Sequence, residues 1–288
     1  MHHSPLTVAD QRAAGGLRWL TLHAPGLARA ARPGQYLLLR CAEPGSDDPL
    51  LRRALLLAAA DERLGQVGLL YAPDERGLRW LARARTGEQI DALGPFGQPF
   101  VLERRTRTLL LIGEGPGLAA LLLLAARAVA RGCAVALLAG APTAELLPPP
   151  FLLPAEVEYQ SVVGAAARLF AQPGGTAGED RRKKRKGDRQ KGDRAPDLQP
   201  PVAGLQSLFS WADQLCAALP AAQLPALSAA VHTAKYRWER GYATVLLDGP
   251  LVCGVGACAV CTVETRHGPR LRCTDGPVFD LRDLAAGG

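Results

Sequence analysis

Four of the seven cysteines lie close together near the C-terminus: Cys253, Cys258 and Cys261, spaced Cys-x4-Cys-x2-Cys, and Cys273 after eleven intervening residues. Three thiols on one short loop, with a fourth on a later segment, is the plant-type spacing for a [2Fe-2S] cluster, in which four thiolates satisfy two irons. Gly254 and Gly256 fall between the first two ligands. Glycine lets the backbone fold around inorganic sulfur where a side chain would collide, and its amides can donate to the sulfurs.

Two other uses of four cysteines compete with this one. Structural zinc takes four thiolates, but its ribbons carry two short knuckles rather than three ligands crowded on one Gly-rich loop. A disulfide pair would need an oxidising compartment. The first residues, Met-His-His-Ser-Pro, lack the charged and apolar regions of a signal peptide, which predicts a cytoplasmic protein with reduced thiols. The remaining cysteines, Cys41, Cys133 and Cys216, stand singly in apolar surroundings and are expected in the core. His2, His3, His23, His232 and His267 are scattered, so no general acid or base is assigned.

The rest of the chain must position these thiols. A chain of 288 residues, 48% hydrophobic, is long enough for two or three small domains with real cores. Its longest central apolar stretch, 118–126, is far short of the roughly 20 residues of a membrane helix, so no membrane partner is expected. The net charge of +7 resides in one run, 181–194, which holds nine Lys or Arg and two Asp. The remainder is balanced. With no apolar residue to bury, that run predicts a disordered surface insertion over about 173–205, and nucleic acid is not the expected partner.

The first hundred residues show short apolar stretches at 17–22, 36–41, 55–59 and 67–71, separated by Pro-Gly or acidic turns. That rhythm predicts a small antiparallel β-barrel. Residues 77–82 read as its one helical turn, and Gly94-Pro-Phe-Gly as a tight turn. From Thr108 the character changes: a buried-type strand 108–112, the loop Gly113-Glu-Gly-Pro-Gly, an apolar helix 118–131 and a second strand 134–139. A Gly-rich loop at a helix N-terminus can hold a pyrophosphate on free amides, although such loops also make ordinary turns. A further parallel strand is expected at 211–217 and a closing helix at 227–240.

In this order the pieces resemble the electron-transfer subunits of class B dihydroorotate dehydrogenase, within the ferredoxin reductase-like superfamily. The strongest likeness is Cys253-Gly-Val-Gly-Ala-Cys-Ala-Val-Cys with Cys273-Thr-Asp-Gly-Pro-Val-Phe. Pro33-Gly-Gln-Tyr resembles that family's Pro-Gly-Gln-Phe, and Leu51-Arg-Arg-Ala-Leu-Leu resembles its flavin motif, Arg-Pro-x-Ser. Gly140-Ala-Pro-Thr-Ala-Glu-Leu-Leu matches the segment after its second nucleotide-domain strand. The resemblance spans the chain except roughly 155–205.

The resemblance implies a multi-domain α/β plus β fold: an FAD-type antiparallel β-barrel over 1–103, a Rossmann-like parallel α/β nucleotide domain over 104–242, and a small [2Fe-2S] domain over 243–288. It implies metal ligation by Cys253, Cys258, Cys261 and Cys273. FAD contacts are implied at Arg53, Ala54, Leu55, Leu56, Leu70, Tyr71, Gly77 and Leu78, and nicotinamide-nucleotide contacts at Gly113, Gly115 and Gly117. Ala54, Leu56 and Leu78 carry no hydroxyl, which leaves flavin recognition there to the backbone. The partner would be an FMN-containing dihydroorotate dehydrogenase catalytic subunit in a heterotetramer, with electrons passing through the cluster and FAD towards NAD. A cluster carries single electrons and NAD takes a hydride, so a flavin must stand between them. The same architecture would serve a reductase component of another NAD(P)- or ferredoxin-linked oxidoreductase, or a non-catalytic cluster-bearing adaptor. Glu114 and Pro116 set a negative charge and a missing amide in the nucleotide loop, which predicts weaker exchange with NADH than with the partner.

Overall fold

The computed structural model describes residues 2–169, 205–235 and 237–284. The basic run 181–194 lies outside the described residues, as does the expected insertion except for its last residue, Leu205, which opens a helix. Six strands, β1 (His2–Ala14), β2 (Leu17–His23), β3 (Tyr36–Leu39), β4 (Arg53–Asp61), β5 (Gln66–Tyr71) and β6 (Gln89–Phe96), close into an antiparallel barrel in the order β1-β2-β5-β4-β3-β6. Alternate residues point inward, as a period of two requires: Leu20 and Leu22, Leu37 and Leu39, Leu55 and Leu57, Val67 and Leu69 share one core.

Two helical turns accompany the barrel rather than one. α1 (Pro25–Ala30) begins at a proline, which suits a first turn, and α2 (Arg76–Leu81) is capped by Glu75. Leu27 and Leu81 anchor them in the barrel core. Gly94-Pro95-Phe96 ends strand β6 and is not the expected tight turn. Burial of the Phe96 ring against Tyr36, with centroids 5.8 Å apart, holds this segment in the barrel wall.

The chain then gives β7 (Thr108–Glu114), α3 (Leu118–Ala130), β8 (Ala134–Ala141), β9 (Val157–Val163), α4 (Leu205–Trp211), β10 (Gln214–Leu219), α5 (Leu224–Ala234), β11 (Ala243–Leu247), the hairpin β12 (Thr262–Thr265) and β13 (Gly268–Leu271), and β14 (Val278–Asp280). The second sheet has the order β14-β11-β10-β7-β8-β9, parallel except for the antiparallel edge strand β14. The strand expected at 211–217 begins only at Gln214, because Trp211 ends α4. The closing helix runs 224–234 instead of 227–240: Pro225 sits in its first turn, and Lys235 has already turned extended. The boundary expected at 242/243 falls inside this sheet, since β11 and β14, on either side of the cysteine loop, both join it.

Helix α3 carries the architecture. Nine of its residues are buried, on more than one face. Leu118, Leu121, Leu124 and Ala128 pack on the sheet, while Ala119 and Leu122 pack on Trp19, Ala58 and Leu70 of the barrel wall. A helix apolar all round belongs between two layers, and this one lies between barrel and sheet. The opposite sheet face is covered by α4 and α5. Gln214, 1% exposed, ties the segment between barrel and sheet into place. It accepts from Glu103 N and Thr106 Oγ1 and donates to Val101 O and Gly241 O. No helix among the described residues is long and apolar enough to cross a membrane.

Candidate functional site

The four expected ligand cysteines come together as two pairs. Cys258 lies beside Cys253, and Cys261 beside Cys273. Cys261 and Cys273 are buried, whereas Cys258 is exposed at the loop tip. Backbone amides of Cys258, Val255 and Ala257 converge on Cys253 Sγ and pull its thiol down to about 6. Burial pushes the Cys273 thiol up to about 12, with the neighbouring Cys261 adding to the rise. A tetrahedral zinc needs all four thiolates on one centre, whereas a two-iron cluster takes them two by two. The donor set and its pairing fit the [2Fe-2S] cluster.

The loop that presents these thiols is locally strained. Gly254 and Gly256 have φ of +73° and +78°, and a Cβ on Gly254 would stand 3.1 Å from the Phe96 ring. Ala259, between Cys258 and Cys261, has φ of +56°, a conformation that side chains rarely adopt. Thr262 holds it by donating from both its amide and its hydroxyl to Ala259 O. The loop is fastened to the barrel by Gln98, whose amide donates to Gly276 O and whose side chain donates to Thr274 O.

Beside the loop, a cavity of 350 Å³ opens between barrel wall, glycine loop and the start of the cysteine segment. Of the residues expected to contact FAD, Ala54, Leu55, Leu56, Leu70, Tyr71 and Leu78 line it. Leu251, Asp248 and Gly249, which lead into the cysteine loop, form part of the same wall, as does Tyr36. Tyr36 is fully buried and its hydroxyl has no hydrogen-bond partner. Burial, reinforced by the negative charge of Cys273, Cys261 and Cys253, drives its phenol upward. The cavity is apolar and concave, and these properties suit a large planar cofactor. The sequence motif contained Tyr36 without marking it as a site residue.

Arg53 and Gly77 stand together at the edge of this wall, where a Cβ on Gly77 would lie 3.1 Å from Arg53 Nε. The Arg53 guanidinium is engaged by Glu75 through Nε–Oε1 at 2.9 Å and Nη2–Oε2 at 2.7 Å. Arg53 in turn holds the Glu75 carboxyl down to about 2, aided by the Gly77 and Leu78 amides. Glu75 went unread in the sequence because a lone acidic residue before a helical turn looks like an ordinary cap.

The three nucleotide-loop glycines separate. Gly115 lines the cavity with Pro116. Gly113 and Gly117 serve packing: a Cβ would stand 2.6 Å from Leu118 and Leu121 at the first, and 2.6 Å from Ala218 at the second. Glu114 is half-buried and does not stand free. Its Oε2 accepts from Ala166 N at 2.8 Å and from Gln223 Nε2, and Gln223 Oε1 accepts from Ala167 N at 2.9 Å. This network spans the carboxyl ends of the strands at the switch point between β7 and β10, where open α/β sheets bind ligands. Gln223 carried no sequence signal.

The family model for the iron-sulfur cluster binding domain of dihydroorotate dehydrogenase B matches residues 249–285. The chain is 32% identical over 272 residues to the dihydroorotate dehydrogenase B (NAD(+)) electron transfer subunit of Shouchella clausii, covering 92% of this chain and 91% of that one. It is 27% identical to the subunit of the same name from Bacillus cereus strain B4264, over 97% and 96% of the two chains. Among solved structures it superposes on an NADH-dependent reduced ferredoxin-NADP oxidoreductase with a TM-score of 0.70 at 20% identity, covering 98% of this chain and 90% of that one. Phthalate dioxygenase reductase gives 0.54 at 15% identity, over 92% and 87%. The fold is thus that of the ferredoxin reductases, and the chain belongs to the family of dihydroorotate dehydrogenase B electron transfer subunits.

Proposed function

We propose that this chain is the electron-transfer half of a dihydroorotate-oxidising enzyme, taking electrons from a catalytic subunit and passing them towards NAD. The observation that carries the reading is the adjacency of two sites: the paired thiols and the 350 Å³ cavity share one wall through Tyr36 and Leu251. When bound, a [2Fe-2S] cluster supplies one-electron transfer and FAD converts it to hydride transfer. Cys253, Cys258, Cys261 and Cys273 would hold the cluster. Exposed Cys258, with Val255 and Val260 beside it, turns that site towards a partner. Ala54, Leu55, Leu56, Leu70, Tyr71 and Leu78 would sheathe the flavin and exclude water, with Arg53 and Gly77 at its charged end. Gly115, at the mouth of the glycine loop, faces the same cavity and would meet the nicotinamide nucleotide.

The partner we propose is an FMN-containing catalytic subunit, joined in a heterotetramer. Anaerobic reconstitution of the full chain with iron, sulfide and FAD tests the reading. Two irons, two sulfides and one flavin per chain are expected, together with dihydroorotate-dependent NAD reduction once the catalytic subunit is added. A colourless, zinc-binding chain, or one that passes electrons from other donors and not from that subunit, would overturn it.

A further inference from the structure

Tyr36 stands where barrel, cavity and cysteine loop meet, and the fold leaves its polar atom without a partner. Its side chain is 0% exposed and its hydroxyl makes no hydrogen bond. The ring is fixed on both sides. Phe96 lies 5.8 Å away and itself supports Gly254 of the cysteine loop, while a Cβ on Gly97 would stand 3.1 Å from the Tyr36 ring. The hydroxyl therefore cannot rotate out to water. A buried hydroxyl without a partner lowers stability, and phenylalanine would fill the same space without that penalty.

The hydroxyl belongs to a ring set against the cysteine segment: Leu251, two residues before Cys253, packs on the Tyr36 cluster, and a Cβ on Gly97 would meet both the Tyr36 ring at 3.1 Å and Gly276 O, three residues past Cys273, at 3.2 Å. The charges of Cys273, Cys261 and Cys253 also act on it. The donors already aimed at these sulfurs are backbone amides, from Cys258, Val255 and Ala257 to Cys253 and from Gly256 to Cys273.

We infer that the Tyr36 hydroxyl donates a hydrogen bond to a sulfur of the cluster held by Cys253, Cys258, Cys261 and Cys273, and thereby raises the reduction potential of that cluster. The inference rests on the cluster reading above. Adding one electron increases the negative charge on the sulfurs, and a hydrogen-bond donor stabilises the more negative form more strongly. Tyr36 is on this account a tuning residue set between the two cofactors.

Tyr36→Phe removes one oxygen and keeps the ring, which makes it the direct test. Wild type and variant are reconstituted as full chains with iron, sulfide and FAD, assayed for all three, and titrated potentiometrically with EPR on the cluster and absorbance on the flavin. Equal iron and sulfide are expected, with an apo chain at least as heat-stable as wild type. The cluster's one-electron equilibrium should shift roughly tenfold towards the oxidised form, a potential lower by about 59 mV, with the flavin unmoved. In deuterated buffer, wild type should show one more exchangeable deuteron coupled to the reduced cluster than the variant, beyond those on the backbone amides. A cluster potential that does not move, or a shift confined to the flavin, overturns the inference. So does a variant that cannot load the cluster when wild type can, since the hydroxyl would then serve assembly. A wild-type chain that takes up no iron and sulfide overturns the cluster reading itself, and the inference falls with it.

Discussion

The cysteine loop and the glycine loop approach the same cavity from opposite sides, and they treat their polar groups differently. Around the cysteine loop, polar groups meet only one another or nothing: four reduced thiols in two pairs, three amides drawn to Cys253 and the unpartnered hydroxyl of Tyr36. At the glycine loop it is satisfied from within. Glu114 is held by Ala166 and Gln223, while Gly113 and Gly117 are packed against Leu118 and Ala218. Buried polar groups are costly unless paired, so an arrangement that leaves them open is one built around a partner that is not protein. On the proposed reading, the contrast separates a resident cofactor site from one where a nucleotide would displace or join an existing network. The flavin wall lies between, with Arg53 engaged by Glu75 and Tyr36 open.

The largest effect should come from the open side. Cys258→Ser removes one of four thiolates, and the iron-sulfur absorbance should vanish. Because Cys258 is exposed, the melting temperature of the apo chain should stay where it is. A variant that kept full iron and sulfide would remove the basis of the contrast.

Next is Gln214, which joins the two halves. Gln214→Ala leaves Glu103 N, Thr106 Oγ1, Val101 O and Gly241 O without their partner in a buried site. The loss should be about 3 kcal/mol, since each orphaned group costs about 1–3 kcal/mol less whatever water recovers. In a chain of this size that lowers the melting temperature by about 5 °C. Cluster and flavin content should be unaffected at low temperature, which calorimetry alongside iron and flavin assays would check.

How much of this was legible in the sequence depends on whether the signal was local. The cysteine spacing and the run 108–112 followed by glycines and an apolar helix state their roles within a few residues, and the structure has β7 and α3 where they predict them. Strand β1 was missed because Pro5 and its many polar residues blur the alternation. Gly94-Pro95-Phe96 has turn chemistry, yet packing of Phe96 on Tyr36 makes it the end of a strand. The networks of Glu114 with Gln223, Arg53 with Glu75 and Gln214 with Thr106 join residues 109, 22 and 108 positions apart. No local pattern announces such partners. Glu114 shows the consequence: as a bare charge near a phosphate it looked severely unfavourable, but its carboxylate already has two donors.

That correction sets the size of the third effect. A bare carboxylate 4 Å from a phosphate, at an effective dielectric of about 20, would cost on the order of 4 kcal/mol, nearly a thousandfold in affinity. With the Ala166 amide and the Gln223 side chain drawing on that charge, and solvent screening the remainder, Glu114→Gln should tighten NADH binding only about tenfold. The glutamine keeps an oxygen for the Ala166 amide, so the sheet should be undisturbed. Anaerobic titration of the flavin band with NADH reads the change. A thousandfold gain would mean that the network does not temper the charge, and no gain would mean that Glu114 lies outside the nucleotide's reach.

The smallest effect concerns the pair between the two loops, and its sign follows from linkage. Glu75 has a carboxyl held at about 2 in the folded chain against an ordinary 4.5, chiefly by Arg53. A depressed carboxyl contributes stability that is fully present above about 4.5 and is lost as the pH falls towards 2. The Glu75 side chain is 38% exposed, so solvent screening keeps the contribution to about 1 kcal/mol or less. Glu75→Gln should therefore melt slightly below wild type at pH 6, and the two curves should converge as the pH drops from 4.5 towards 2.5. A gap that stayed constant across that range would show that Glu75 stabilises α2 as a neutral cap, through the Leu78 amide, rather than through its charge on Arg53. Arg53 would then be free to meet a flavin phosphate without giving up an ion pair, and the flavin wall would belong with the open cysteine loop rather than between the two.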